Sequence, residues 1–362
     1  MSRRLKLILG LVALQALALL VVLGVTYAAS QNLLLRFSED IAARISRDAT
    51  AYTDGFLEPA GETAEITRQV IRTGLMDPAD QSSLARYFLE NLRVRDSLDG
   101  LYLGDAAGGF VYASRAAADE PGPFRVKRIT AAPARQVMLE WFDDRLGRVA
   151  GRADPEDTYD PRMRPWYVAA REDRAAVWTK PYIFFTSQLP GITVSVPVSG
   201  ADGFSGVVGV DIKIEALSAF LEGLDISPRG QAAIVSEDGD IIAHSDRAYT
   251  AGGSGGTVAF RRVIDGSDPI LTRAAEQIEG GLDTLFPGEI RLARFDAEGE
   301  VWIGAVMRLE RARTPWTVVT YLPEEDILGQ LSQVRSIALM VSLAALAATA
   351  ALGFVYGRTV MR

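Results

Sequence analysis

The chain has 362 residues and a formal charge of −8, a length that allows two or three domains. It has no cysteine and a single histidine, His244, which excludes disulfides and thiolate metal sites and leaves too few ligands for a zinc site. Without the five basic residues of its two end segments, 33 basic residues stand against 46 acidic ones, a charge of −13. This acidic character argues against a nucleic-acid partner.

Both ends of the chain are apolar. Residues 7–29 and 336–357 contain no charged side chain, and each run is long enough to cross a hydrocarbon core of about 30 Å as one helix. A signal peptide is the alternative for the first run, but the run is longer than an ordinary signal-peptide core and favours a retained helix. Basic residues lie outside both runs, so both ends are predicted to face the cytoplasm and residues 30–335 the opposite side.

Between these runs the pattern changes from helix to strand. Apolar residues at helical spacing predict a long stalk helix over 30–74, which Pro59 and Gly61 could bend. A second helix is predicted from Pro78 or Gln81 to about Arg95. Apolar runs around glycine-containing turns predict hairpins at 98–115 and 230–246. The order strand, turn, strand, helix then occurs twice, at 192–221 and at 301–328.

This repetition predicts an α+β fold with two similar antiparallel-sheet modules in tandem, PAS-like in character, with helices on one face of each sheet. A long N-terminal stalk helix precedes the modules, and a transmembrane helix flanks them on each side. The predicted segments are a cytoplasmic N-terminus (1–6), a first transmembrane helix (7–29), the stalk (30–74), a membrane-distal module (75–222), a membrane-proximal module (223–329), a helical linker (330–335), a second transmembrane helix (336–357) and a cytoplasmic end (358–362).

The stretch YDPRMRPWY, residues 159–167, combines aromatic side chains with arginines and prolines. Pro165 suits the first position of a helix, and Arg164 before it could hold a carboxylate together with the helix N–H groups. Asp211 ends the apolar run VVGVD, where a buried carboxylate needs a cation or hydrogen-bond donors. Arg164 and Asp211 would together match the carboxylate and the ammonium of a free amino acid.

Each of these residues also has a purely structural interpretation. Trp166 and Tyr167 are equally typical of a helix face packed on a sheet. Arg164 could form an exposed ion pair with a neighbouring aspartate, and Asp211 could cap the helix that follows it. His244 is expected in a turn or at the surface.

With these residues in place, the two spans around a double module resemble the double Cache sensor domain (dCACHE_1) of bacterial transmembrane receptors. Members of this family that bind amino acids carry a Tyr, an Arg five residues later, Trp and Tyr after one more residue, and an Asp at the end of a later strand. The resemblance implies that Tyr159, Arg164 and Trp166 hold a ligand carboxylate, and that Tyr167 and Asp211 hold its ammonium group.

One position departs from the family's pattern. The family often has a Tyr and, two residues later, an Asp on an intervening strand, whereas PYIFF has Tyr182 and then Phe184. One ammonium contact is therefore expected to be missing, which favours an apolar ligand side chain or a different carboxylate that carries an amine. The predicted ligand-binding residues are Tyr159, Arg164, Trp166, Tyr167, Tyr182, Phe184 and Asp211.

The resemblance implies a two-pass sensor of the bacterial inner membrane with its ligand-binding part in the periplasm. It implies a homodimer that binds a small molecule, an L-amino acid, needs no cofactor or metal and signals through the second span. Sensing of another small amine or carboxylate, and binding of a periplasmic partner protein, are the alternatives. An enzyme is not expected, since the sequence has no GxSxG or HExxH motif and no cysteine. The cytoplasmic output domain is expected on another protein or in a part of the protein that this sequence omits.

Overall fold

The computed structural model describes residues 3–200, 203–249, 260–278, 285–286, 288–310 and 314–328, with the single residues 340, 344, 347, 348 and 351. Its α-helices are α1 (Arg3–Arg72), α2 (Gln81–Val94), α3 (Pro165–Asp173), α4 (Ile214–Glu222) and α5 (Pro269–Gln277). Residues 324–328 are also helical. These helices and the two sheets described next give the α+β fold that the sequence predicts.

The first sheet is antiparallel throughout, in the order β5-β4-β3-β2-β1-β9-β8-β6, with β7 paired to β8. Its strands are β1 (Gly100–Asp105), β2 (Phe110–Arg115), β3 (Phe124–Thr130), β4 (Gln136–Phe142), β5 (Arg148–Ala153), β6 (Val177–Trp178), β7 (Tyr182–Ile183), β8 (Pro190–Gly200) and β9 (Gly203–Lys213). The pairing of β1 with β2 confirms the first predicted hairpin.

The second sheet is also antiparallel, in the order β11-β10-β14-β13-β12. Its strands are β10 (Gln231–Val235), β11 (Ile241–His244), β12 (Ile290–Ala297), β13 (Glu300–Arg308) and β14 (Thr317–Pro323). The pairing of β10 with β11 confirms the second predicted hairpin, whose turn contains Gly239 at a φ of +82°. Glycine adopts this left-handed conformation without steric cost.

Helices pack on both faces of each sheet, whereas the sequence predicted helices on one face only. In the first sheet, α1 and α2 cover one face and the short helix α3 covers the other. In the second, α1 packs on one face and α5 on the other. Strand residues alternate between faces, so both sets of side chains are buried, and α3 is the helix that encloses the site described below.

The helix α1 continues through Pro59 and Gly61 and packs against strands of both sheets. Its buried residues Leu57, Ala60 and Ala64 belong to one apolar cluster that includes side chains from both sheets. Small residues on this face let the sheets approach the helix closely. A change in either sheet therefore has a direct packing route to α1.

The structure does not confirm the two predicted membrane spans. In the part of the chain that the structure describes, no helix combines the length and the apolar character needed to cross a membrane. Residues 336–357 lie almost entirely outside the described residues. The two-span arrangement and the boundaries of the segments stay predictions.

His244 was predicted at a turn or the surface, and this is wrong. Its side chain is fully buried on β11. Its Nδ1 accepts a hydrogen bond from the Asp246 N–H at 2.8 Å, and its Nε2 lies 2.7 Å from the Tyr321 hydroxyl and 3.1 Å from Asp268 Oδ2. These partners satisfy both ring nitrogens, which is what allows a polar ring to be buried between β11 and β14.

Candidate functional site

A cavity lies between α3 and the face of the first sheet opposite α1 and α2. Its walls come from strands β1, β2 and β9, the segment 182–186 and the start of α3. Six of the seven predicted ligand-binding residues line it, although they come from positions as far apart as 159 and 211. The residues that line the cavity are Tyr102, Phe110, Tyr112, Tyr159, Arg164, Trp166, Tyr182, Phe184, Phe185, Thr186 and Asp211.

The turn that leads into α3 is built by local hydrogen bonds. The Asp160 carboxylate accepts from the Arg162 backbone N–H at 3.0 Å, and it pairs with the Arg162 guanidinium at 2.7 Å. A short 3-10 turn follows, and α3 then begins at Pro165, as predicted. The structural ion pair in this turn therefore belongs to Arg162, and Arg164 is left to face the cavity.

Arg164 immediately precedes α3 in extended conformation, with φ of −88° and ψ of 147°. Its guanidinium donates to the Ile183 carbonyl at 3.3 Å and lies 5.8 Å and 5.7 Å from the ring centres of Tyr159 and Phe185. Among the described residues, no carboxylate is recorded as an ion-pair partner of this guanidinium. The predicted alternative of an ion pair with a neighbouring aspartate does not hold, and Arg164 keeps donors free for a ligand.

Asp211 lies at the other end of the cavity and is only 4% exposed. Its Oδ1 accepts from the Thr193 hydroxyl at 2.5 Å and from the Tyr102 hydroxyl at 2.7 Å. The Tyr182 hydroxyl lies 2.8 Å from the Thr193 hydroxyl and extends this chain of bonds. The residue that caps α4 is Lys213, without a side-chain cap bond, so the interpretation of Asp211 as a helix cap is wrong.

Burial sets the protonation of Asp211. Removal from water raises the pKa of its carboxyl to about 8, although the Thr193 and Tyr102 hydroxyls act in the opposite direction. The Asp99 carboxylate raises this pKa further, and the Arg164 guanidinium lowers it. At neutral pH most of the Asp211 carboxyls are therefore protonated, and a cation placed beside the group would drive the proton off.

Aromatic rings form the cavity wall between these two ends. Trp166 is 1% exposed, and its ring centre lies 4.6 Å from that of Tyr102 and 6.2 Å from that of Phe110. Tyr159 packs against Phe110 at 4.8 Å and forms a hydrogen bond with Trp166. These rings are fixed by one another, so the wall keeps its shape without a ligand.

Tyr167 differs from the other predicted residues, because it does not line the cavity. Its hydroxyl donates to the Asp105 carbonyl at 3.2 Å, and its ring packs against Phe204 at 5.9 Å. Consecutive residues on a helix point about 100° apart, and here Trp166 faces the cavity while Tyr167 faces Asp105 and Phe204. These contacts agree with the structural interpretation of Tyr167, and its assignment to the ammonium group of a ligand stays a prediction.

Phe184 lies two residues after Tyr182, where the resemblance led us to expect an aspartate. Its ring packs edge-on against Tyr182, with centres 5.3 Å apart, and covers the backbone of Gly191. A Cβ at Gly191 would come within 1.9 Å of the Phe184 ring. The aromatic ring is thus built into the wall, which makes this side of the cavity apolar.

Sequence reasoning missed a buried ion pair behind the aromatic wall. Lys127, 2% exposed, pairs with Asp157, which also binds Arg135 at 2.9 Å. The Lys127 ammonium lies 4.7 Å from the ring centre of Tyr159 and 5.4 Å from that of Phe185. Burial lowers the Lys127 pKa. Asp157 is shared between Lys127 and Arg135, so this cluster keeps one positive charge behind the wall, whereas Arg164 is the cation that lines the cavity itself.

Gly209 allows Tyr102 to reach Asp211. Gly209 and Tyr102 face each other in the pairing of β1 with β9, and a Cβ at Gly209 would lie 2.1 Å from the Tyr102 ring. A glycine inside an otherwise apolar strand often marks such a close approach. The sequence VVGVD therefore contained a signal for a bulky partner on the neighbouring strand.

We expect Gly209→Ala to lower the free energy of unfolding by about 1–3 kcal/mol, since the Tyr102 ring must move to admit the new methyl group. Gly61→Ala is the matched control, because a Cβ there meets nothing within 4 Å in a helix. It should be neutral or stabilising by up to about 1 kcal/mol. Urea denaturation of both variants checks this, and a Gly209→Ala protein as stable as the parent would contradict the packing described for Tyr102.

The cavity is tight. Its free volume is about 290 Å³ with the open mouth included, but only about 20 Å³ can hold the centre of a water molecule. That is room for a water molecule or two. A larger ligand requires side chains of the 182–186 segment to move apart. Among the described residues, no cluster of three or more His, Asp or Glu side chains could bind a metal ion.

Comparison with known protein families shows a match over most of the chain. The family model named dCache_1, described as a Cache domain, matches residues 26–331. That range includes both sheets and the part of α1 that follows the first apolar run.

Two curated relatives are chemotaxis proteins. The chain is 36% identical over 88 residues to the methyl-accepting chemotaxis protein PscA of Pseudomonas syringae, and 35% identical over 89 residues to the methyl-accepting chemotaxis protein PctB of Pseudomonas aeruginosa. The matches cover 24% and 25% of this chain and 14% of each relative. The chain thus matches a small part of the length of these relatives.

Among solved structures, the ligand-binding domain of the Pseudomonas aeruginosa amino-acid chemoreceptor PctB in complex with L-Gln is similar in fold. The TM-score is 0.50 at 18% identity, with 83% of this chain and 98% of that chain covered. At this identity the similarity concerns the fold.

Proposed function

The chain belongs to the dCache_1 family of Cache domains, and on that premise we propose that the cavity beneath α3 binds a free amino acid as the input of a transmembrane sensor. One observation carries the proposal. Arg164, which has no recorded carboxylate partner among the described residues, and the buried Asp211 line the same cavity. A free amino acid offers a carboxylate to the first and an ammonium group to the second.

The carboxylate end of the ligand lies at Arg164 in this proposal. A guanidinium binds a carboxylate through two parallel charge-assisted hydrogen bonds. The start of α3 adds a partial positive charge. Of the N–H groups in its first turn, those of Tyr167 and Val168 bond the Arg164 carbonyl, whereas that of Trp166 has no recorded acceptor in the described part of the chain. Tyr159 and Trp166 flank this end, so all three residues that the sequence assigned to the carboxylate lie together.

The ammonium end lies at Asp211. Both recorded side-chain hydrogen bonds of this carboxyl reach Oδ1, and the bonds fix its orientation while Oδ2 remains for the ligand. An ammonium group beside it would lower the Asp211 pKa below its value of about 8 in the free protein. Binding at neutral pH would therefore release a proton, and Tyr102 and Thr193 act as the residues that position the carboxylate.

The ligand's side chain meets aromatic surface. Phe184 and Phe185 both line the cavity, and Phe184 stands where the family resemblance led us to expect another acid. We infer that an apolar or uncharged side chain fits better than a cationic one, since no second carboxylate beyond Asp211 lines the cavity. The names of similar proteins support the ligand class: PctB is described as an amino-acid chemoreceptor and was solved with L-Gln.

Transmission of the signal follows from the position of Asp211. Three residues after it, α4 begins at Ile214, and α4 packs against β10 and β11 of the second sheet as well as against the first. A ligand that draws Asp211 toward Arg164 would therefore act on the helix that joins the sheets. The ligand can shift such an equilibrium only by its difference in affinity for the two states.

The remaining parts of the proposal concern the whole protein. We propose that residues 75–222 form the membrane-distal, ligand-binding module and 223–329 the membrane-proximal one, outside the cytoplasm of a bacterial cell. Helices over 7–29 and 336–357 anchor the chain in the inner membrane, two copies associate, and the sensor itself catalyses no reaction. At about 1.5 Å per residue, α1 is long enough to connect the membrane with both sheets.

A ligand screen tests the proposed function. The full chain, purified in detergent, is heated with each of the common amino acids, with simple amines and with small carboxylates. A ligand at about a hundred times its dissociation constant adds about 2.7 kcal/mol to the stability of the native state, which gives a clear rise in melting temperature. We expect at least one amino acid to act. A screen in which amines or carboxylates alone stabilise the protein would overturn the amino-acid assignment, and no response at all would favour a partner protein as the input.

A further inference from the structure

A second cavity lies on the opposite face of the first sheet from the amino-acid site, between α2 and strands β3, β4 and β5. It has a volume of about 400 Å³ that water can occupy, against about 20 Å³ in the first cavity. Side chains alternate along β3, and this alternation separates the two cavities. Lys127 lies on the side of the first cavity, behind the Tyr159 ring, and the next residue, Arg128, lines the second. Small-molecule sites in proteins commonly have volumes of this order.

The charged residues that line the second cavity are mostly positive. Three arginines and one glutamate line it, namely Arg86, Arg128, Arg148 and Glu140, so the lining carries a net charge of +2. Glu140 is buried and shared, since it pairs with Arg128 and binds Arg148 at 2.9 Å. One carboxylate cannot neutralise both guanidinium groups, and one positive charge remains at this pair.

Arg86 supplies the second uncompensated charge. It lies exposed on α2, and in the described part of the chain no ion pair or hydrogen bond is recorded for its guanidinium. Arg128 in contrast is held in place, because it also donates to the Ser82 hydroxyl at 3.1 Å. The cavity thus presents two guanidinium groups that share Glu140 and a third, that of Arg86, with no such carboxylate partner among the described residues. Guanidinium groups are suited to bidentate binding of carboxylates.

Apolar side chains form the rest of the lining. Leu89 of α2 and Phe142 of β4 line the cavity, together with Leu146 from the turn between β4 and β5. Leu146 adopts a φ of +62°, a conformation that is uncommon for a bulky residue. Its side chain is nevertheless directed at the cavity and packs against the core. Such a surface accommodates a short carbon chain between two anionic ends.

We propose that this second cavity is a binding site for a small organic dicarboxylate. Two carboxylates would match the net charge of +2, one at Arg86 and one at the Arg128 and Arg148 pair, with the carbon skeleton against the apolar wall. The site is separate from the amino-acid cavity, so the proposal stands or falls independently of the function proposed above.

Isothermal titration calorimetry on the full chain in detergent tests the proposal. The probes are succinate, glutarate, adipate and phthalate, the neutral diamide of whichever binds, and inorganic phosphate. We expect one dicarboxylate to bind, its diamide to show no binding, and phosphate to bind at least about tenfold more weakly because it cannot use the apolar wall. Absence of binding by every dicarboxylate, or phosphate binding as tightly, overturns the assignment.

Variants locate the binding. Arg86→Gln and Arg148→Gln each remove an exposed guanidinium, Glu140 keeps Arg128 as a partner in both, and each variant should weaken the dicarboxylate at least about tenfold. Arg93→Gln on the same helix is the control, because Arg93 pairs with Glu90 and does not line the cavity. It should bind as the parent does. If Arg86→Gln and Arg148→Gln also bind as the parent does, or if Arg164→Ala abolishes dicarboxylate binding instead, the proposed site is wrong.

Discussion

Arg164→Ala should reduce amino-acid affinity by about 2–5 kcal/mol, or roughly 30-fold to several thousandfold, because the ligand carboxylate then lies in an aromatic cavity without its cation. The fold should survive, since Arg164 makes one hydrogen bond at 3.3 Å to the Ile183 carbonyl and two cation–π contacts, contacts that contribute about 1 kcal/mol each at most. Calorimetric titration of the ligand identified by the screen measures the loss.

Arg162→Ala is the matched control for this variant. Arg162 belongs to the same turn, but it is paired with Asp160 at the surface and does not line the cavity. Its removal should leave the affinity within about twofold of the parent, because an exposed ion pair contributes little. If the two variants bind equally well, the carboxylate does not lie at Arg164. If both lose binding, the turn as a whole holds the ligand rather than its second arginine.

Asp211→Asn should weaken amino-acid binding at least about a hundredfold, because the buried ammonium group of the ligand loses its only carboxylate. Asparagine keeps an oxygen that can accept from Tyr102 and Thr193, so the free protein should fold. The variant therefore removes the negative charge of the Asp211 side chain and keeps its shape. An Asp211→Asn protein with unchanged affinity for the amino acid would remove Asp211 from the ligand contacts.

The same substitution should remove a pH dependence. Asp211 has a pKa of about 8 in the folded protein, and an ordinary value near 4 when unfolded. Between these values the folded state holds a proton that the unfolded chain has released. The contribution of Asp211 to stability is therefore fully present below about pH 4 and falls by about 1.4 kcal/mol per pH unit up to about pH 8. Asp211→Asn should not show this fall. The difference in free energy of unfolding between the parent and Asp211→Asn should therefore narrow or reverse toward pH 8.

Ligand affinity should change in the opposite direction. Only the ionised Asp211 pairs with an ammonium group, so affinity should rise up to about tenfold per pH unit as the pH approaches 8 and then level off. Titrations at pH 6, 7 and 8 check this slope. In Asp211→Asn the residual binding should not depend on pH over the same range.

The hairpins, α3 and the two ends of the cavity were predictable because their signals are local. Gly239 marks a turn, Pro165 marks a helix start, and Asp211 ends a run of apolar strand residues. A polar residue in such a place needs partners wherever the strand lies. That requirement is physical, and it marked Asp211 as a residue with hydrogen-bonding partners before any pairing of strands was known.

The residues that position Asp211 were not predictable in the same way. Tyr102 and Thr193 lie on β1 and β8, on either side of β9. Their contact with Asp211 depends on the order and register of three strands, and no spacing in the sequence encodes either. Gly209 was the one available sign, since a glycine in that strand implies a large neighbour.

Tyr167 and His244 show the limits of residue type as a guide. Trp166 lines the cavity and Tyr167, the next residue on α3, does not, and the pattern alone did not distinguish the two. His244 is buried because Asp246, Asp268 and Tyr321 supply hydrogen bonds from other elements. In both cases the outcome depends on tertiary partners, which composition and periodicity do not contain.

Matched ligands distinguish whether one cavity binds both charged groups of an amino acid. The amino acid that binds is compared by calorimetry with its decarboxylated amine and with the carboxylic acid that lacks the amino group. We expect both analogues to bind at least about a hundredfold more weakly than the parent amino acid, since each leaves either Arg164 or Asp211 without its partner. If either analogue binds as tightly as the amino acid, Arg164 and Asp211 do not act together, and the cavity is not a site for both groups.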